Sequence, residues 1–203
     1  MSADLPAWLA GAFDAPTPDH AKLAIARFGD EKSLGKGGFQ LSSAAFMDGG
    51  LLDPSFCAQE EDAVAPPLEW SAPPTGAAEV VLLVECVETG ACHWAVWGFP
   101  AQKGQLLEGE VPPRVGKNAA GNSEWLLPNP PAEAGKHHYV FQLFALDLPL
   151  VLMPGASAAE LAREIDGHVV AASVITGTYA RLEDEDEGEW DEVDIDDIDF
   201  DGN

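Results

Sequence analysis

The sequence VVLLVECVETGACHWAVWGF, residues 80–99, contains the pattern that decides the fold. Two runs rich in β-branched and aromatic residues, VVLLVEC (residues 80–86) and HWAVWGF (residues 93–99), flank a short segment that contains Thr89 and Gly90. Such runs are typical of β-strands, and a Thr-Gly pair is compatible with a tight turn. The stretch therefore predicts two antiparallel strands joined as a hairpin.

Similar runs recur further along the chain, at HYVFQLFALD (residues 138–147) and HVVAASVITGTY (residues 168–179), and proline- and glycine-rich connections separate them. One internal helix is well marked, because Ser157 precedes the segment AAELAREI and Glu160 stands at the position of a capping box. The whole pattern predicts a mainly β domain with few helices.

The chain divides into three segments by composition. Residues 1–38 are predicted to form a helical extension, with Thr17 before the first turn and Gly29 at its end. This extension would either pack on the domain edge or serve as a dimerisation arm. Residues 39–182 form the β domain. Residues 183–203 contain 13 acidic residues and no Lys or Arg, which predicts a disordered tail. A tail of this kind could also dock on a protein partner through its scattered apolar residues.

Charge and cysteine content argue against some partners and cellular locations for this protein. The net charge is −25, of which −12 remains when the tail is set aside, so nucleic acid and anionic membranes are not expected partners. The sequence has no apolar run long enough to span a bilayer, and its N-terminus lacks the basic region of a secretion signal. Three cysteines favour reduced thiols, so we expect a soluble, cytoplasmic protein.

The turn between the first two strands concentrates reactive side chains. Cys86, Cys92, His93 and the more distant His137 are possible ligands of a metal ion, although Cys92 and His93 should point to opposite faces of a strand. A disulfide between Cys86 and Cys92, or Cys86 as a nucleophile with a histidine base, are further alternatives. The fourth alternative is a pocket in which imidazoles bind an anion and Glu88 orients or polarises one of them.

Four segments in order resemble the phosphatidylethanolamine-binding protein family, in its bacterial and archaeal Raf kinase inhibitor-like branch. The resemblance covers about residues 39–181. The first segment, AVAPPLEWSAPPTGAAEVVLLVE, is similar to the family pattern N-x-S-P-x-L-x-W-x-x-x-P-x-G, and the second, HWAVWGFPA, is similar to H-W-V-V-x-N-I-P. The third is the combination NAAG…W…PPAEAGKHHYVFQLFALD, and the fourth is GHVVAASVITGTYAR.

The resemblance implies a large central antiparallel sheet with a smaller second sheet, and an anion pocket at one end of the large sheet. In the family this pocket is lined by a D-P-D-x-P loop and two histidines, and it accepts phosphate-like groups. Carried onto this chain, the binding residues become His93 and His137, with Glu88 and Cys86 in the loop and with Trp125, Pro130 and Tyr139 in the wall. The loop departs from the family, since Cys86 stands at the place of the first aspartate and the prolines are missing.

These expectations lead to a specific hypothesis. The protein would bind a small anionic ligand, such as a phosphate-type head group, without turnover, and we expect no catalytic residue, cofactor or metal. The competing hypothesis is a protein-interaction module with a degenerate pocket that acts through the acidic tail or the N-terminal helix. In that case Trp125 or the short turn would fill the pocket. The resemblance also implies a homodimer as a candidate assembly.

Overall fold

A computed structural model of the chain describes residues 4–181. It contains a five-stranded antiparallel sheet with strand order β6-β4-β3-β7-β8 and a three-stranded antiparallel sheet with order β1-β2-β5. The strands are β1 (Leu41–Ser42), β2 (Leu68–Trp70), β3 (Glu79–Cys86), β4 (Cys92–Pro100), β5 (Gly104–Leu106), β6 (Arg114–Val115), β7 (His137–Leu146) and β8 (Val169–Tyr179). The α-helices are α1 (Ala7–Ala10), α2 (Ala24–Phe28) and α3 (Ala158–Ile165), and short 3-10 helices span Pro18–Lys22, Lys36–Gly38, Pro54–Phe56 and Ala132–Ala134. The predicted mainly β architecture with two sheets is confirmed.

The unbroken apolar run of β3 reflects burial on both faces of the large sheet. Val80, Leu82 and Val84 face a first core that is shared with the small sheet, while Val81 and Leu83 face a second core beneath the helices. Successive side chains of a strand alternate between faces, so a strand covered on both sides needs apolar residues at every position.

The N-terminal segment covers the second face of the large sheet. Leu9 and Ile25 are fully buried there, together with Leu161 and Ile165 of α3. Of the two arrangements expected for the extension, packing against the domain is therefore the one observed, although it covers a face and not an edge.

The single helix predicted between Thr17 and Gly29 is instead two short helices. Leu23 separates them in an extended conformation. Side chains of the sheet accept hydrogen bonds from the free N–H groups at the start of α2. Glu85 accepts from Ala24 N–H and Gln142 accepts from Ile25 N–H, each at 2.7 Å. Buried polar partners in the sheet thus decide where this helix begins.

Two other local expectations have clear outcomes. The capping box at the start of α3 is present, with Ser157 accepting from Glu160 N–H and Glu160 accepting from Ser157 N–H. The sequence alone also predicts that His20 is a surface residue, and this prediction is wrong: the ring is buried and packs on Phe13, with ring centroids 4.3 Å apart. The predicted disordered tail, residues 183–203, lies outside the described residues.

Candidate ligand-binding site

A concave cavity of about 280 Å³ lies where β3 ends and where β4 and β7 begin. Five of the seven residues predicted for the site line it, namely Cys86, His93, Pro130, His137 and Tyr139. The remaining wall residues are Thr89, Ala91, Leu126, Leu127, Asn129 and Pro131. The hairpin turn between β3 and β4 therefore forms one rim of the cavity, and the loop before β7 forms the opposite one.

A β-bulge points His93 into the cavity. Trp94 pairs with Val84 and Cys92 pairs with Glu85, which leaves His93 as an extra residue between them. As a result the rings of His93 and Trp94 both pack on Trp125 in the first core, whereas Cys92 packs against the second. Bulges are a common means of re-aiming one side chain beside a site.

The backbone of Leu126 fixes the ring of His93. Nδ1 of His93 lies 2.6 Å from the Leu126 carbonyl oxygen, and Leu126 N–H donates to the His93 carbonyl at 2.9 Å. A carbonyl can only accept, so Nδ1 carries a hydrogen and Nε2 is the nitrogen available to a ligand. Burial lowers the pKa of His93; the Leu126 carbonyl opposes this shift and the nearby His137 adds to it. His93 is therefore a neutral imidazole at pH 7, with a lone pair on Nε2.

Asn118 holds the loop that delivers Leu126. Its buried side chain donates to the Glu124 carbonyl and accepts from Ala120 N–H, at 3.0 and 2.9 Å. The backbone N–H of Asn118 also donates to the Asn122 carbonyl at 2.8 Å. These hydrogen bonds hold the loop in one conformation and so fix the position of the Leu126 carbonyl.

The second histidine lies at the start of β7. His137 is buried, and its Nδ1 lies 3.6 Å from Sγ of Cys86. Tyr139 follows two residues later on the same face of the strand and packs edge-on against His93, with ring centroids 4.9 Å apart. Tyr139 also pairs with Cys86 in the β3–β7 register, so these side chains form one contiguous wall.

Glu88 does not orient either pocket histidine. Its carboxylate binds the neighbouring His138, with Oε1 2.6 Å from Nδ1 and Oε2 accepting from the backbone N–H at 2.9 Å. Burial raises the pKa of Glu88, but the hydrogen bonds from His138 outweigh that effect and the net shift is downward. Glu88 is therefore a carboxylate at the rim, beside Cys86, where it disfavours an anion.

Trp125 lies behind the cavity and lines a different one. Its indole N–H donates to the Phe56 carbonyl at 3.1 Å, and its ring stacks on Phe141 in the first core. The adjoining cavity of about 390 Å³ is lined by Trp125, Trp94 and Val115 among others. A degenerate pocket would require Trp125 or the short turn to fill the histidine cavity, and Trp125 does not fill it.

The cysteines occupy separate environments. Cys86 belongs to the first core and Cys92 packs against the second, so the two thiols lie on opposite faces of the sheet and are unpaired. Burial raises the pKa of Cys86, and it raises that of Cys92 to about 12. Both residues are therefore thiols at neutral pH, which is the reverse of what a nucleophile needs.

Sequence reasoning missed the residues that act through their backbone. Leu126 contributes a carbonyl, and Leu127, Asn129 and Pro131 contribute wall surface. No side-chain chemistry distinguishes these positions in the sequence. The available signal was the proline-rich segment LLPNPPAEAG, from which only Pro130 was assigned to the wall of the site.

The first comparison with known proteins is a family model. The model described as "Phosphatidylethanolamine-binding protein" matches residues 42–180. Among individual relatives, a Mycobacterium tuberculosis protein named as a lipoprotein, LppC, is 33% identical over 144 residues, which are 68% of this chain and 71% of that protein. A protein of Methanothermobacter thermautotrophicus named UPF0098 is 30% identical over 154 residues, covering 70% of this chain and 98% of its own.

Solved structures agree with this match. The phosphatidylethanolamine-binding protein homologue CT736 of Chlamydia trachomatis superposes with a TM-score of 0.65 and 32% identity, over 70% of this chain and 97% of that one. The Escherichia coli protein YbcL, with a TM-score of 0.64 and 24% identity over 70% and 98% of the two chains, shares the fold. The chain therefore belongs to the phosphatidylethanolamine-binding protein family.

Proposed function

We propose that this protein binds a small phosphate-type anion, without turnover, in the cavity between His93 and His137. The observation that supports this function is the convergence of the two imidazoles on one open cavity of about 280 Å³, which neither Trp125 nor the short turn fills. Imidazole N–H groups are suitable donors to a phosphate-like oxygen.

The hydrogen-bonding state of the two rings defines the ligand. Because Nδ1 of His93 donates to Leu126, the neutral ring offers an acceptor at Nε2. The Cys86 thiol donates to Oε2 of Glu88 and lies 3.6 Å from Nδ1 of His137. When the thiol hydrogen turns to Nδ1 instead, His137 carries its own hydrogen on Nε2 and offers a donor to the cavity. One donor beside one acceptor fits a singly protonated phosphomonoester, which presents both P–O⁻ and P–OH. A fully deprotonated anion would require His93 to gain a proton.

The expected affinity is modest, because no Lys or Arg occurs among the described residues that line the cavity. Lys136 lines a neighbouring cavity, and Arg114 donates to the Leu150 carbonyl at 3.1 Å. Without a Lys or Arg side chain, the site depends on a few hydrogen bonds to the anion, each of which contributes about 1.5–3 kcal/mol. We therefore expect binding in the millimolar range, which corresponds to about −4 kcal/mol.

The alternative is an interaction module that acts through the N-terminal helix or the acidic tail. The buried side chains of the N-terminal segment weigh against its acting as a free arm, since Leu9, Phe13 and Ile25 are committed to the second core. The tail lies outside the described residues. The pocket is therefore the function that the described residues support better.

Titration of O-phosphorylethanolamine or inorganic phosphate, followed by the histidine resonances in NMR spectra, tests the proposal. We expect the ring signals of His93 and His137 to shift together and to saturate, while those of the half-buried His168 stay in place. Absence of any shift at millimolar ligand would refute the pocket function and favour the interaction module.

We also propose a cytoplasmic location. In the described part of the chain no helix is long and apolar enough to cross a bilayer. The three cysteines are free, which fits a reducing compartment. The Mycobacterium tuberculosis relative is named as a lipoprotein, and that name would instead indicate a membrane-attached location. Cell fractionation with an antibody against the protein distinguishes the two locations: recovery in the membrane fraction after a salt wash would contradict ours.

A further inference from the structure

Three possible metal ligands of different chemistry meet at the rim of the cavity. Sγ of Cys86 lies 3.5 Å from Oε2 of Glu88 and 3.6 Å from Nδ1 of His137. One ligand atom from each residue lies within 4.8 Å of the other two. Thiolate, imidazole and carboxylate are the three side-chain ligands that zinc uses in proteins.

The fold positions all three residues through the hairpin and the β3–β7 register. Cys86 is the last residue of β3, and Glu88 follows two positions later in the turn. Cys86 N–H donates to the Ala91 carbonyl and Gly90 N–H donates to the Cys86 carbonyl, both at 2.9 Å. His137 begins β7, two residues before the Tyr139 that pairs with Cys86. Because the turn is closed by backbone hydrogen bonds, little reordering is needed to assemble the ligands.

The two distances to the sulfur of Cys86 agree with tetrahedral zinc. With Zn–S bonds of about 2.3 Å and Zn–N or Zn–O bonds of about 2.0 Å, tetrahedral angles separate the sulfur from each lighter ligand atom by about 3.5 Å. The sulfur in this protein lies 3.5 and 3.6 Å from its two neighbours. We propose that Cys86, Glu88 and His137 bind one Zn²⁺ ion, with a fourth coordination position open toward the cavity.

The surroundings of the cluster support this assignment. His138 donates to both carboxylate oxygens of Glu88 and so holds the ligand in place, as residues behind metal ligands commonly do. Glu88 is exposed, which gives an ion access from solvent, whereas Cys86 and His137 are buried. The soft thiolate and the imidazole favour zinc over magnesium or calcium, which prefer all-oxygen sites.

The proton balance of binding is simple. The Cys86 thiol loses one proton to solvent as the Zn–S bond forms, Glu88 is already a carboxylate, and His137 supplies a lone pair from Nδ1. No electron is transferred. Binding therefore releases one proton to solvent for each ion bound. Affinity for zinc should therefore rise with pH.

Cobalt(II) titration of the untagged, reduced, full-length chain tests the proposal. Carboxylates of the acidic tail also offer oxygen ligands to cobalt, but only a cysteine ligand produces a thiolate-to-cobalt charge-transfer band. We expect this band to saturate at one equivalent per chain, to vanish in Cys86→Ser, and to persist in Cys92→Ser, a matched control on the opposite face of the sheet. No charge-transfer band in the wild-type chain, or a band that survives Cys86→Ser, would overturn the site.

Competition with a chromophoric zinc chelator gives a second measurement that does not depend on Cys86→Ser being folded. Loss of a residue that supports a metal ligand lowers metal affinity by about 10- to 100-fold, and we expect a loss in this range for His138→Ala. His137→Gln removes a ligand itself and should lower zinc affinity at least as much. Unchanged affinity in His137→Gln would contradict the assignment. Both titrations are done without phosphate, so the zinc site stands or falls independently of the proposed anion binding.

Discussion

Nδ1 of His93 donates to the carbonyl oxygen of Leu126 at 2.6 Å, and this bond determines what the cavity can recognise. It fixes the tautomer of a buried ring whose pKa is lowered by that burial. A neutral His93 therefore presents an acceptor to the cavity, and only a protonated His93 presents a second donor. The ligand and the pH together decide which form is used.

The first prediction concerns pH. Because the pKa of His93 lies below its ordinary value of 6.5, the free protein holds a neutral ring at pH 7 and gains the proton only in more acidic solution. An anion that needs the protonated ring should bind more tightly as the pH falls from 7 toward 5, by at most about tenfold per pH unit for one proton. Sulfate is the appropriate probe because it does not titrate in this range. Sulfate affinity that is flat, or that increases with pH, would contradict the fixed tautomer.

The second prediction concerns the two rings. His93→Gln and His137→Gln should each weaken phosphate binding by about 10- to 100-fold, since a hydrogen bond to a charged group contributes about 1.5–3 kcal/mol. The matched control is His168→Gln, which removes a histidine that pairs with Asp147 at the surface. Calorimetric titration of the three variants provides the comparison. Equal losses in all three would show that the anion binds outside the cavity.

The third prediction separates anion binding from metal binding. Glu88→Gln removes a negative charge beside Cys86 and should strengthen phosphate binding by roughly two- to fivefold, the range expected for a solvent-exposed charge interaction. The same substitution removes a proposed zinc ligand and should weaken zinc binding. The two affinities are measured on separate portions of one protein preparation, that for phosphate by NMR and that for zinc by chelator competition in the absence of phosphate. A change of both in the same direction would be incompatible with one of the two proposals.

The fourth prediction concerns stability. Gln142 is fully buried, accepts from Ile25 N–H and donates to Glu85, both at 2.7 Å. Gln142→Leu should lower the free energy of unfolding by about 1–3 kcal/mol for each buried polar group that loses its partner. Urea unfolding of this variant is compared with Gln105→Leu, at an exposed position of β5. Similar unfolding midpoints for the two variants would show that the N-terminal segment does not depend on this contact.

Local sequence patterns were sufficient for the four long strands, the hairpin and the third helix. The runs around β3, β4, β7 and β8 are dominated by β-branched and aromatic residues, and Ser157 with Glu160 forms a capping box that depends only on residues three apart. These signals are local, so no knowledge of the tertiary structure was needed. The helical extension was placed less well, because its break at Leu23 depends on Glu85 and Gln142, which lie far along the chain.

The strand-like runs of the sequence by themselves determined a mainly β domain, and its resemblance to the family implied the two sheets. The same resemblance implied that His93, His137, Cys86, Pro130 and Tyr139 share one cavity, which the structure shows. Only the tertiary structure decided how these residues act. The bulge at His93 aims its ring, the Leu126 carbonyl selects its tautomer, and His138 draws Glu88 away from the pocket histidines. The bulge, the hydrogen bond to Leu126 and the contact between Glu88 and His138 each depend on backbone atoms or on partners remote in sequence. The types and spacing of residues in the sequence do not reveal hydrogen bonds of this kind.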